Sequence, residues 1–310
     1  MKLRKQIKQN ARRALGGNWG KAICILLIGM SIFVIFSLLQ GLTSLLLDIP
    51  DFHDTLKTPG FYFDDVVNVS LLSLLIASIF TVLSLIVNSP LTFGVKQWYY
   101  RLVGGESEDV VSIFSFFSFA RLFFKAIWHD INLIVRRLLW AIPFAVVPGA
   151  IAGIAVLLLY NTQPSDLMHL GGIMLLMLGL LLAVIAQIFF FIFSNRYFLS
   201  SYLIVEDPEI GVRKAIKTSI RSMKGHKSEI FVLQLSFVPW GLLSLLVLPL
   251  LYVVPYYNSS SALYAKYLIE REKLHEPEDE TVRFNANNNN TDEVDDIPPA
   301  QNTDYPNDQI

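Results

Sequence analysis

Only one cysteine, Cys24, occurs in the chain. That count excludes an intrachain disulfide, a zinc ribbon and a paired-thiol redox centre. Cys24 lies inside the first long apolar run, where a small apolar side chain needs no further role. Charge is scarce too: Asp, Glu, Lys and Arg make up 16% of the residues, against about a quarter in soluble domains. The five histidines, at positions 53, 129, 169, 226 and 275, are scattered over different segments, and no pair has metal-ligand spacing. The dipeptide His129-Asp130 reads as the end of an interfacial helix without partners, so no metal is assigned to it. No glycine-rich phosphate loop, nucleophile elbow or zinc-protease signature is present. The expectation is a protein that is not an enzyme and needs no cofactor. Ionisable residues are also rare within the apolar runs, which disfavours an ion-coupled carrier. Gln187 and Gln234 lie deep but are neutral, and suit hydrogen bonds between helices.

What the chain has in quantity is apolar length. Hydrophobic residues make up 53% of the sequence, and several runs reach the ~20 residues that cross a bilayer as a helix. The fold class is all-α: a polytopic transmembrane helix bundle. Spans are expected at Ala22 to Leu47, Val66 to Val95, Leu138 to Tyr160 and Gly171 to Ser194. Ile230 to Ile269 holds either two short spans with a turn around Leu246 to Leu250, or one span ending at Val254. Six spans are favoured and five remain open. The charged start of the chain runs to Lys21 and no small-x-small site follows, so the first run reads as a retained span rather than a cleaved signal.

The net charge of −1 sums two unlike parts. Residues 271–310 carry 11 acids against 3 Lys or Arg, and the rest of the chain carries 22 Lys or Arg against 15 acids. A basic body of residues 1–270 is thus followed by an acidic, Asn-rich tail, 271–310, of a composition expected to be disordered. The basic residues flank spans, where anionic headgroups and the positive-inside bias account for them. The expected partners are therefore the lipid bilayer and anionic lipid headgroups, with a membrane-protein partner or a second copy of the chain also open. Nucleic acid is not expected. The Lys- and Arg-poor loop 48–65 falls outside the cell and the N-terminus in the cytoplasm of a multi-pass cell-membrane protein. The tail falls in the cytoplasm if there are six spans.

Two segments form basic amphipathic interfacial helices. In residues 2–15, Leu3, Ile7, Ala11 and Ala14 share one face, while Lys5, Lys8, Arg12 and Arg13 are among the cations covering the rest. After Asp207-Pro208, read as a helix start, Val212, Ile216, Ile220 and Met223 alternate in the same way with Arg213, Lys214, Lys217 and Arg221. These eight cations are the candidate contacts with lipid headgroups. A third, aromatic interfacial helix, capped by Asp109, is expected ahead of the third span.

The two basic helices sit in segments that echo one another. Laying Gly17 on Gly225 pairs Arg13 with Arg221 and Leu15 with Met223; laying Pro90 on Pro255 pairs Tyr99 with Tyr264. Two readings stand open: two degenerate copies, about 1–103 and 207–270, of one plan (basic helix, glycine, span, span, proline break, tyrosine-rich exit), or chance matches between the basic flanks and interfacial tyrosines that membrane helices share. A proline frees a carbonyl one turn earlier, and in lipid that group needs a partner. Asn88 and Ser89 at one break, and Asn258 with Ser259 to Ser261 at the other, are placed to supply donors. Asn88, Pro90, Gly94, Pro255 and Asn258 are therefore candidate helix-break or path-lining residues.

Four stretches together, "ARRALGGNWGKAICILLIG", "SPLTFGVKQWYYRLVGGE" followed by "SIFSFFSF", "YLIVEDPEIGVRKAIKTSIRSMKGHK" and "LSFVPWGLLSLLVLPLLYVVPYYNSSSALY", carry a resemblance. They resemble the bacterial integral membrane proteins grouped as domain of unknown function 975, common in Gram-positive bacteria. The resemblance covers roughly residues 1–270 and departs at "LVLPLL", where glycines are usual. It extends distantly to the membrane domain of some glycerophosphodiester phosphodiesterases. It implies membrane class and host type, and no activity. The functions left open are a scaffold or accessory subunit engaging anionic lipid or membrane partners, a small transporter or permease-like subunit for a lipid or amphiphile, and an envelope-stress or immunity factor.

Overall fold

A computed structural model describes residues 2–47, 71–163, 167–243 and 248–289, and every regular element among them is helical. The helices are α1 (Lys2–Ala14), α2 (Trp19–Leu46), α3 (Leu71–Val103), α4 (Ser115–Ser118), α5 (Ala120–Asn161), α6 (Leu167–Ser194), α7 (Ser200–Glu206), α8 (Val212–Ser222), α9 (Lys227–Leu235), α10 (Val238–Leu243) and α11 (Leu250–Asn289). Short 3-10 turns, Val110–Phe114 and Asn195–Tyr197, precede α4 and α7. The chain divides into two compact units, Met1–Leu268 and Ile269–Ile310.

Among the described residues four helical stretches are long and apolar enough to cross a membrane: Trp19–Leu46, Leu74–Val103, Ala120–Asn161 and Leu167–Glu206. They take up the first four expected spans. The 42 residues of α5 extend ~63 Å at 1.5 Å per residue, about twice the hydrocarbon thickness. Only the half beyond Arg137 is continuously apolar, so the helix begins well before its expected span and absorbs the second part, from Ala120, of the expected aromatic interfacial helix. What remains of that helix is the 3-10 turn and α4. Asp109 precedes the turn with extended backbone but makes no side-chain capping bond.

Among the described residues the region expected to hold the fifth and sixth spans shows no helix that is both long and apolar enough to cross. In the region 230–269, α9 and α10 are 9 and 6 residues long and are parted at Ser236-Phe237. The apolar start of α11 is diluted by tyrosines, Asn258 and three serines. Residues 246 and 247 of the expected turn lie outside the described residues, as do the loop 48–65 and the first five residues, 66–70, of the expected second span. Two further expectations change. α3 runs unbroken through Pro90 to Val103, because an internal proline removes one hydrogen bond that neighbouring helices can replace. Asp207-Pro208 does not start α8; the Asp207 carboxylate accepts the Glu209 N–H at 2.9 Å, an Asx turn, and the helix begins at Val212 with Gly211 as its cap. In the second unit residues 269–289 are helical, where a disordered tail was expected from 271. Its Glu, Lys, Arg and Leu are strong helix formers, and residues 290–310 lie outside the described residues.

The core of the first unit lies at one end of the long helices. Its largest fully buried side chains include Trp98, Tyr99, Phe93, Phe116, Tyr197 and Tyr264, from the last turns of α3 and the segments packed on them. Away from this end the long helices present bare apolar surface, with Phe33 at 67% and Leu180 at 59% exposure. In water such patches would drive association; in a bilayer they are the lipid-facing surface.

Candidate functional site

Ser89, immediately before Pro90, does not serve its own helix. Its hydroxyl lies 2.9 Å from the Ala126 carbonyl and 2.5 Å from Asp130 Oδ2. Asp130 Oδ1 is 3.0 Å from His129 Nδ1, and His129 Nε2 is 2.9 Å from Ser200 Oγ. Beside this chain the Lys96 ammonium donates to Ser201 Oγ at 2.9 Å, against the rings of Phe93 and Tyr202. His129 and Ser200 are fully buried. The result ties α3, α5 and α7 together through a polar network in an otherwise apolar setting, where each satisfied bond is strong and each lost one costly. The expectation that His129-Asp130 lacks partners is thus corrected. Its partners are 41 and 71 residues away along the chain, and that separation hid them. Asp130–His129–Ser200 has the order of an activated nucleophile, but Ser200 Oγ is also 2.8 Å from the Tyr197 carbonyl and is sealed from solvent. Its geometry is that of a clamp.

Gly94, one turn beyond Pro90, lets the chain after α3 fold back on it. A Cβ there would lie 1.7 Å from the Ile113 carbonyl oxygen. Phe93 and Phe116 pack across the same contact at 5.3 Å. Asn88 bonds Ser84 on its own helix at 2.8 Å and lines neither of the two grooves beside α11. At the second break, Pro255 is buried in α11, and Asn258 hydrogen-bonds Tyr99 of α3. Ser259 donates to the Ala11 carbonyl of α1 at 3.2 Å. Three of the six donors expected to repair the proline-freed carbonyls, Ser89, Asn258 and Ser259, therefore reach other helices, while the buried hydroxyls of Ser260 and Ser261 have no partner among the described residues.

Two apolar grooves flank α11. One, of about 320 Å³, lies between α2, α3 and α11 and includes Tyr99 and Asn258. The other, of about 790 Å³, lies between α6, α9, α10 and α11. Its polar groups are Gln187, Gln234 and Tyr257, and Gln234 is bonded to Asn195 at 3.0 Å.

The basic helices turn their apolar stripes into the protein. Ile7, Ala11 and Leu15 of the first segment are buried, as are Val212, Ala215, Ile216 and Met223 of the second. Lys5, Arg12, Arg13, Arg213, Lys214, Lys217 and Arg221 are exposed, and Lys8 is half-buried. Burial lowers the Lys8 pKa below the usual lysine value, and Arg4 nearby adds to the shift. The two segments match residue for residue at a spacing of 208. Gly17 and Gly225 have φ of 81° and 86°, the left-handed region that glycine tolerates. Leu15 N–H bonds Ala11 and Met223 N–H bonds Ser219, at 3.1 and 3.0 Å. Ala22 N–H bonds Asn18 and Ile230 N–H bonds His226, at 3.0 and 3.2 Å.

The fold defines the class: an all-α protein with four helices long and apolar enough to cross a membrane. The chain belongs to the family described as protein of unknown function (DUF975), whose model matches residues 1–272. No curated protein and no solved structure matches it, so the distant likeness to the membrane domain of glycerophosphodiester phosphodiesterases gains nothing from them.

Proposed function

We propose that this is a non-enzymatic integral membrane protein, a scaffold or accessory subunit that gathers anionic lipid through two matched basic helices. One observation carries the reading: α1 and α8 bury the same stripe, end in the same glycine turn and hold their cations outward. Anchored in this way, the cations stand at a set depth at the cytoplasmic surface, where each contributes about 1 kcal/mol towards an anionic leaflet. The duplication of residues 1–103 in 207–270 belongs to the same proposal, with both copies facing the cytoplasm.

The test is the lipid that remains with the protein after extraction from a membrane of known composition into mild detergent. The wild type retains anionic lipid above its bulk share. Changing Lys5, Arg13, Arg213, Lys214 and Lys217 to Gln lowers the retained share to the bulk value, and an unchanged share overturns the proposal. The Tyr99–Asn258 pair beside a groove favours a second reading, a carrier for a lipid or amphiphile. Proteoliposomes loaded with a fluorescent phospholipid separate the two. The scaffold leaves transbilayer exchange at the protein-free rate, whereas a carrier accelerates it and loses that acceleration in Asn258→Leu.

A further inference from the structure

The larger groove and α1 meet at Phe237. This residue lines the groove with Val238 and Gly241, and the Lys8 ammonium of α1 stands over its ring, 4.2 Å from the centroid. Tyr256 packs edge-on against Phe237 at 5.2 Å, and the Arg12 guanidinium is close enough to act on the Tyr256 hydroxyl. An apolar trough open towards the lipid-facing surface thus has one cation, Lys8, against a lining ring at its edge. Lys8 is half-buried, and the charge that acts on it, Arg4, has its own sign. Among the described residues no carboxylate pairs with the Lys8 ammonium, so an anion brought to it would be favoured.

The smaller groove shows that the trough is a built feature. Positions 26, 29, 30 and 33 of α2 line it, and at the spacing of 208 they become 234, 237, 238 and 241, all of which line the larger one. Each groove also holds an amide beside a phenol: Asn258 with Tyr99, and Gln234 with Tyr257 at 3.4 Å. The same helix face makes a trough in both segments, but Lys8 stands at the edge of the larger one.

We infer that the groove between α6, α9, α10 and α11 binds one anionic phospholipid, an acyl chain lying along Phe191, Val238, Gly241 and Val254 and the phosphate meeting Lys8. The volume, about 790 Å³, falls within the range of ligand sites lined mainly by apolar side chains. The amides and the phenol suit the ester and glycerol oxygens between tail and phosphate. This deepens the anionic-lipid reading above by adding one specific lipid to the general surface attraction.

Native mass spectrometry of the full chain in detergent, titrated with phosphatidylglycerol or with phosphatidylcholine of the same acyl chains, tests the site. The wild type binds one phosphatidylglycerol about fivefold more tightly than phosphatidylcholine, the increment expected of one lysine at the headgroup. Lys8→Gln brings the two affinities together. Gly241→Trp abolishes the tight step for both lipids; Gly241 lines the groove and a Cβ there meets no atom within 4 Å, so the substitution starts into open space. If that variant fails to fold, Gly241→Leu gives the same reading with a smaller loss. The five-residue outer-cation variant keeps this one lipid while losing the looser ones, which separates failure of the site from failure of the surface reading. A tight step that survives both Lys8→Gln and the Gly241 variant overturns the proposal. Palmitate binding as tightly as phosphatidylglycerol would replace the phospholipid with a free fatty acid and overturn it as well.

Discussion

Gly94→Ala leaves little or no folded protein in the membrane. The added methyl carbon would sit 1.7 Å from the Ile113 carbonyl oxygen and 2.6 Å from its carbonyl carbon. Backbone rather than a flexible side chain occupies that space, so no rotamer change makes room, and the segment 110–118 must lift away from α3. Overpacking of a closed contact costs about 1–3 kcal/mol and more when backbone has to move. The displacement would also expose Ile113 and Phe116, both buried, and separate Phe116 from Phe93. The check is membrane abundance of a tagged chain together with its melting temperature in detergent. Gly241→Ala, at a position with open space around its Cβ, is the control and keeps wild-type values. A Gly94→Ala protein that accumulates and melts like the wild type would show that the 110–118 segment does not rest on α3.

Asp130→Asn produces the second large effect. The carboxylate accepts from Ser89 on α3 and contacts His129, which in turn reaches Ser200 on α7. The amide keeps the shape but offers one acceptor and one donor where two acceptors were used. One buried partner is then left unmatched, at about 1–3 kcal/mol. Ser89→Ala removes a single contributor and costs less. Because both residues belong to one network, the double variant should be less destabilised than the sum of the singles, by about 0.5–3 kcal/mol. Thermal unfolding in detergent of the four proteins gives the cycle. Strict additivity would show that the two residues do not interact in the folded protein.

The difference between these two sites and the basic helices shows what could be read from the sequence. A helix face repeats within a few residues, so Ile7, Ala11 and Leu15 on one side and Lys5, Arg12 and Arg13 on the other are visible in the order of the chain. Length and apolarity likewise marked the four membrane-length helices, because crossing hydrocarbon is a local requirement on composition. The glycine turns at 17 and 225 were legible because a left-handed residue at a helix end favours one amino acid. Helix ends were less so: α5 starts at Ala120 rather than Leu138, since backbone hydrogen bonding continues past the point where apolar side chains begin.

The destinations of polar side chains were not legible. Ser89 and Asn258 were singled out as donors for proline-freed carbonyls on their own helices, yet they bond Asp130 and Tyr99. His129 was set aside as lacking partners. These outcomes depend on which helices touch, and at what rotation, which no local pattern encodes. The sequence by itself determined an all-α chain with membrane-length helices, two outward-facing basic segments and a recurring turn, because each follows from composition and short-range periodicity. Tertiary structure alone decided that the buried network joins α3, α5 and α7, that Gly94 admits the Ile113 carbonyl, and that Lys8 stands over Phe237 beside an apolar groove. Each of those is a contact between segments far apart in the chain, made by packing rather than by local propensity.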